Sequence, residues 1–231
     1  MQSISTRDSL ALVKSRKTAA MVTVLRDLRD IPINDILVVG CGDGTEAGDL
    51  ARAFAARTIG IDPESHFDPE ASKPATLMKM DARELEFADA SFDLVYSFHA
   101  LEHIPQPRQA LAEMARVLRP GGSYMIGTPN RHRLLGYMGA PDTLANKVRW
   151  NLSDLKMRLT GRWSNEQGAH AGFSERELID MCRDAFTGEP RSKSHLYYRT
   201  LYASRAKSVD ALSASALSAL LYPCVYVGGW R

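Results

Sequence analysis

Gly40, Gly42 and Gly44 stand at alternate positions directly after the apolar run Ile36-Leu37-Val38-Val39. Glycine spaced this way at a strand end allows a sharp turn into a helix and lets the backbone approach a ligand where a Cβ would clash. The same pattern suits a bare strand-to-helix turn. The dinucleotide fingerprint G-x-G-x-x-G fails from Gly40, whose last place is Thr45, whereas the register from Gly42 to Ala47 fits its looser form. Asp62 lies about 20 residues on, at the end of the next apolar segment, where a carboxylate accepts hydrogen bonds from vicinal ribose hydroxyls. The other groups suited to chemistry near neutral pH are His99, His103, His132 and His170. His99, Glu102 and His103 form an H-x-x-E-H string, but Ile104-Pro105 ends it just after an apolar segment, which argues against the helix that a metalloprotease needs.

The elements that must position these groups follow from periodicity. Ser9 to Leu28 is helical in pattern, and residues 1–33 read as an N-terminal helix closed by Pro32. Ile36–Val39, Thr58–Ile61, Leu77–Met80, Phe92–Ser97 and Ser123–Gly127 read as strands, with helices over Thr45–Ala56 and Gln109–Leu118, the latter stopped by Pro120-Gly121-Gly122. Strands alternating with helices predict a doubly wound, Rossmann-like α/β fold. Further on, Ser174–Phe186 reads as a helix, and Ser194–Tyr198 and Val225–Trp230 as the last two strands. No linker splits residues 1–231, so a single domain is expected.

Composition narrows the partners. Lys and Arg number 29 against 27 Asp and Glu, a formal net charge of +2, which argues against a general nucleic-acid binder. Cys41, Cys182 and Cys224 match no zinc or redox spacing and read as reduced thiols of a cytoplasmic protein. The N-terminus shows no export pattern, and the uncharged run Ala211–Trp230 is broken by Pro223 and glycines, reading as helix, break and strand rather than a membrane span.

The ordered series Ile36 to Gly44, Gly60-Ile61-Asp62, Asp81-Ala82, Phe92 to Ser97, Leu101-Glu102-His103-Ile104-Pro105 and Arg116 to Gly122 resembles the class I S-adenosylmethionine-dependent methyltransferases. It looks most like the small-molecule subfamily that includes ubiquinone-biosynthesis O-methyltransferases. The resemblance covers residues 35 to about 130, with a weaker likeness at 170–186. It implies a mostly parallel seven-stranded sheet whose last strand runs antiparallel between the fifth and sixth. It implies S-adenosyl-L-methionine as cofactor, with Gly40, Gly42 and Gly44 under its methionine and ribose, Asp62 on the ribose hydroxyls, Asp81 and the Ala82 backbone at the adenine edge, and Ser97 offering backbone to the methionyl end. His103 and His170 are the candidate bases, and no metal site is assigned, although His99 replaces the first Glu of a Glu, Glu, His set that binds a divalent ion in some ubiquinone-pathway relatives. Family members carry an acid two residues before the first glycine, where this chain has Val38; Asp43 or Glu46 would then serve. The acceptor is expected to be a small or lipid- or glycan-linked molecule, methylated at oxygen. A nicotinamide oxidoreductase and a non-catalytic methyltransferase-like binding protein are the alternatives.

Residues 131–172 form a basic insertion. From Arg131 to Arg162 there are seven basic residues against Asp142 and Asp154, a net +5 that leaves −3 for the rest of the chain. Leu144, Val148, Leu152, Leu155 and Leu159 form one helical stripe with Asp142 as N-cap and Gly161 as C-cap, and Lys147, Arg149, Lys156 and Arg158 flank it on both sides. Such a helix would pack on the core as a cap, cover an anionic acceptor, or lie on an anionic membrane through 143–160.

Overall fold

The computed structural model describes residues 13, 15–28, 31–64, 66–70, 73–137, 142–167 and 169–231. Helix α1 (Arg16–Arg26) starts where the Ser15 hydroxyl accepts from the Lys17 and Thr18 amides. The earlier part of the helix expected from Ser9 lies outside the described residues, and the chain leaves helix at Arg26 rather than Leu28. Then come β1 (Asp35–Val39), α2 (Thr45–Phe54), β2 (Arg57–Asp62), β3 (Thr76–Lys79), β4 (Phe92–Phe98), α3 (Pro107–Val117) and β5 (Leu118–Pro129). The chain continues through α4 (Leu144–Leu159), α5 (Glu175–Ala185), β6 (Arg191–Ser192), α6 (Ser194–Leu201), α7 (Ala206–Ser213), α8 (Ser218–Leu221) and β7 (Cys224–Trp230).

The sheet order is β3-β2-β1-β4-β5-β7-β6, with β3 to β5 parallel and β7 antiparallel to both β5 and β6. This is the Rossmann-like, doubly wound α/β fold expected, with the final strand inserted as the resemblance implies. The continuous apolar run of β1 is explained by burial on both faces: Leu37 and Val39 pack with residues of α3 and α5, while Ile36 and Val38 pack with α1, α2 and α6. Strand order reverses between β1 and β4, so the crevice beyond their C-terminal ends is where such a sheet binds ligands.

Three local expectations are corrected. Ser194–Tyr198 is the start of helix α6, not a strand, because Ser194, Tyr197, Tyr198 and Leu201 recur at i, i+3, i+4 and i+7; the first three are buried. The sixth strand is only the two residues of β6. Pro120-Gly121-Gly122 does not separate α3 from the next strand: β5 begins at Leu118, and the Pro-Gly-Gly segment absorbs a register irregularity opposite Phe92 and Leu94. On α4, Thr143 rather than Asp142 is the N-cap, accepting from the Asn146 amide, while Asp142 accepts from the Thr143 amide and the Asn146 side chain.

The stripe of α4 does not pack on the core. Leu144 is 76% exposed and Leu159 79%, with Val148, Leu152 and Leu155 between them also exposed. The inward side of the helix is polar: Asp154 pairs with Arg133 at 3.1 Å and accepts from the Tyr137 hydroxyl at 3.1 Å, and Asn151 exchanges bonds with the Gly136 backbone. Arg158, expected on a solvated flank, turns inward to donate to the carbonyls of Arg131 and Arg133 and lies over the Trp163 ring. Among the described residues no helix is long and apolar enough to cross a membrane.

Candidate active site

After β1 the chain bends so that the amides of Gly40 and Cys41 both donate to the Ile61 carbonyl, at 2.8 and 2.9 Å, which ties the glycine loop to the end of β2. Gly40 has φ +72°, and a Cβ there would stand 2.1 Å from the Ala100 Cβ, so only glycine fits. Gly42 faces open space and donates to Asp62 Oδ2 at 3.0 Å. Asp62 Oδ1 accepts from the Glu64 amide at 3.0 Å. These residues wall a cavity of about 420 Å³ that also touches Asp81, Ala82, His99 and His103. Asp81 is gripped by the Arg83 guanidinium, whose hydrogen bonds lower its carboxyl to about 2.

Two of the expected cofactor residues are absent from this cavity's lining. Gly44 closes the turn into α2 against Leu77 of β3 and does not line the cavity. Ser97 is fully buried in the sheet, paired with Val39 and Ile126, and the wall just beyond it is made by His99 and Ala100.

A second cavity, about 270 Å³, lies on the other side of His99. Its wall combines Tyr197 and Tyr198 of α6, Tyr226 of β7, and Arg133, Tyr137 and His170 from the segments around α4. Tyr198 is fixed by donating to the Cys224 carbonyl at 3.1 Å and accepting from the Cys224 amide at 2.9 Å, and Tyr226 packs between Phe98 and Tyr197. No sequence motif marks these tyrosines; Tyr197 and Tyr198 alone carry a signal, the helical recurrence of 194, 197, 198 and 201.

His99 borders both cavities. It sits at φ +54°, unusual for a side chain of its size, and its amide donates to the Gly127 carbonyl at 2.9 Å. The ring Nε2 is 3.3 Å from Cys224 Sγ and Nδ1 is 3.4 Å from Glu102 Oε1. Burial alone would lower its proton affinity, but the cysteine and the carboxylate outweigh that and lift it to about 10. The Glu102 carboxylate is buried and also lies 3.8 Å from His103 Nε2. Leu101–His103 is a single 3-10 turn, not a helix. The His103 and His170 rings meet edge to face at 4.5 Å, and burial together with that neighbour lowers the proton affinity of His170.

Of the two acids considered in place of Val38, Asp43 Oδ1 accepts from the Thr45 amide at the start of α2. Glu46 accepts from the Tyr96 hydroxyl at 2.9 Å within reach of the charges of His99 and Lys17. Burial raises the Glu46 carboxyl to about 7, against the lowering effect of Tyr96 and those charges. In the unfolded chain it ionises near its ordinary value, so the fold loses stability as pH rises from about 4.5 to about 7 and keeps that deficit above. Glu46→Gln is therefore expected to stabilise the protein by ~2 kcal/mol at pH 8 and by nothing measurable at pH 4, read from urea unfolding at the two pH values.

Residues 37–126 match the family profile described as a methyltransferase domain. An O-methyltransferase of Pyrenophora dematioidea is 34% identical over 191 residues, covering 75% of this chain and 66% of its own length. A probable S-adenosylmethionine-dependent methyltransferase of Mycolicibacterium smegmatis is 40% identical over 102 residues, 42% of this chain and 38% of its own length. The chain thus spans about two fifths to two thirds of these relatives, and neither name carries the ubiquinone pathway. Among solved structures, a SAM-dependent methyltransferase of Thermotoga maritima superposes with a TM-score of 0.55 at 18% identity, covering 93% of this chain and 90% of that one.

Proposed function

This chain belongs to the class I S-adenosylmethionine-dependent methyltransferases, and from that premise we propose that it methylates a small-molecule acceptor, at an oxygen atom, in the tyrosine-lined cavity. The observation that carries the reading is that His99 lines both cavities, so the two adjoin at that residue and their contents would meet beside it. When bound, S-adenosylmethionine supplies a methyl group on a sulfonium, a leaving group that asks the protein mainly for in-line positioning and a deprotonated nucleophile. The larger cavity suits that cofactor: the glycine loop brings bare backbone to its floor, Asp62 would hold the ribose hydroxyls, and Asp81 and the Ala82 backbone would meet the adenine edge, whereas Glu46, bonded to Tyr96, does not line it.

On the acceptor side, His170 is neutral at pH 7 and takes the proton of the acceptor hydroxyl. His99, held as an imidazolium by Glu102 and Cys224, stabilises the oxyanion that forms. His103 orients His170 through their ring contact. Lys17 and His99 on the cavity wall favour an anionic or lipid-linked acceptor, and a lipid-linked one would call for peripheral membrane contact, which residues 143–160 would supply. The O-methyltransferase relative supports oxygen as the target.

Calorimetry with S-adenosylmethionine, S-adenosylhomocysteine and a nicotinamide dinucleotide tests the premise at the cofactor. Both sulfur compounds are expected to bind, and Asp62→Ala is expected to weaken them about 30-fold by removing a charge-assisted contact to the ribose. Binding of the nicotinamide compound alone would replace this reading with the oxidoreductase. Cofactor binding without any turnover across phenolic and lipid acceptors supplied with labelled methyl donor would leave a binding protein.

A further inference from the structure

The apolar stripe of α4 is one part of a wider surface. Leu134 and Leu135 are 61% and 53% exposed, and the Leu134 amide donates to the Leu220 carbonyl at 2.8 Å, which seats the exposed Leu217, Leu220 and Leu221 of the α8 region beside them. The link from this turn to α4 is the Asn151 and Gly136 exchange together with the buried Arg133 and Asp154 pair. The 134–135 turn, α4 and the α8 region thus each carry exposed large apolar side chains, while Arg133, Asn151 and Asp154 turn inward between them.

We propose that this surface docks on an anionic lipid membrane. The charge pattern selects that occupant. Within α4 the only acid is Asp154, and it is buried against Arg133; Asp142 is exposed just before the helix, whereas Arg149 and Lys156 are exposed along one edge of the stripe and Arg162 is exposed beyond its end. Leucines flanked by cations with no exposed carboxylate between them match acyl chains beneath anionic headgroups, the aliphatic stems lying along the apolar boundary. A second copy of the same surface would bring Arg149 and Lys156 against like charges, and the core is closed to the stripe because α4 is held by its polar side.

The orientation this imposes bears on the acceptor. The segment that carries Leu134 and Leu135 outward also lends Arg133, Gly136 and Tyr137 to the wall of the acceptor cavity, so the cavity adjoins the docked face. An amphiphilic acceptor would reach His99 from the lipid side. This extends the methyltransferase reading, and the docking itself rests on the surface alone.

The full chain is to be mixed with vesicles of phosphatidylcholine, with and without phosphatidylglycerol, and the bound fraction read by flotation. Binding is expected to the phosphatidylglycerol vesicles and to be about tenfold weaker or more without that lipid. Leu152→Ser with Leu155→Ser, and separately Arg149→Glu with Lys156→Glu, are each expected to weaken it about tenfold or more. All four side chains are exposed, so both variants fold, and unchanged calorimetric binding of S-adenosylhomocysteine verifies that. Absence of binding to the anionic vesicles, undiminished binding by either variant, or a dimer in sedimentation that the serine substitutions dissociate would each overturn the proposal, and none would bear on methyl transfer.

Discussion

His170→Ala is expected to lower kcat for methyl transfer about 100- to 1,000-fold while the affinity for the methyl donor changes less than about twofold. The proposed assignment separates tasks between two imidazoles. Burial and the His103 ring hold His170 below the ordinary histidine value, so it is free to accept a proton at pH 7; Glu102 and Cys224 hold His99 above it, so it is a cation there. With His170 required neutral and His99 required charged, the rate is expected to fall as pH drops through the acid side of 6.5 and to fall again as pH rises through about 10. His170→Ala should abolish the acid limb and leave the alkaline one, whereas His99→Gln should do the reverse. A pH profile of kcat for the three proteins checks this: a His170→Ala enzyme with the acid limb intact would remove His170 from the proton's path.

Arg133→Met is expected to cost ~3 kcal/mol of stability, seen as a lowered urea midpoint, and to raise hydrogen exchange first in α4. The Arg133 side chain is 4% exposed and that of Asp154 12%, so removing the guanidinium leaves a carboxylate in a site from which burial already drives it toward the protonated form. The same guanidinium donates to the carbonyls of Asn130, His170 and Ala171 and lies over the Trp163 ring, so α4 and the His170 backbone loosen together. Arg133→Met combined with Asp154→Leu should recover more than half of the loss, because the unpaired charge then leaves with its partner. If the double variant is no more stable than the single one, the carbonyl contacts rather than the pair hold the cap.

β1, β2, β4 and β5 are legible because their apolar runs are buried on both faces, a signal that survives without tertiary context, and β3, largely exposed, is marked only by the short apolar run before Asp81. The segment from Ser194 was misread because a window ending at Tyr198 shows aromatic, strand-favouring residues, and the helical recurrence appears only when Leu201 is included. The α4 stripe was visible as a stripe, but its orientation was not. A lone Asp154 near a leucine row gives no hint that Arg133, 21 residues earlier, will pull that side inward against the hydrophobic pattern. At the site, the glycine loop and Asp62 could be read because adjacent elements bring them together. The acceptor wall could not, since Tyr137, Tyr197, Tyr198 and Tyr226 meet only through the packing of three separate segments.

The antiparallel insertion of β7 sets an order of assembly. Every residue named on the larger cavity's wall precedes Gln106, so that wall is synthesised early, although the core beneath it also needs residues of α3, α5 and β7. The thiol beside His99 and the carbonyl that anchors Tyr198 both belong to Cys224, more than a hundred residues later. Until β7 arrives, the outer edge of β5 has no neighbour in the sheet and offers unpaired amides and carbonyls to any extended chain. The residues that would hold a nucleoside are thus synthesised well before those that would position an acceptor, and the strand that joins the two sets also covers an open edge of the sheet.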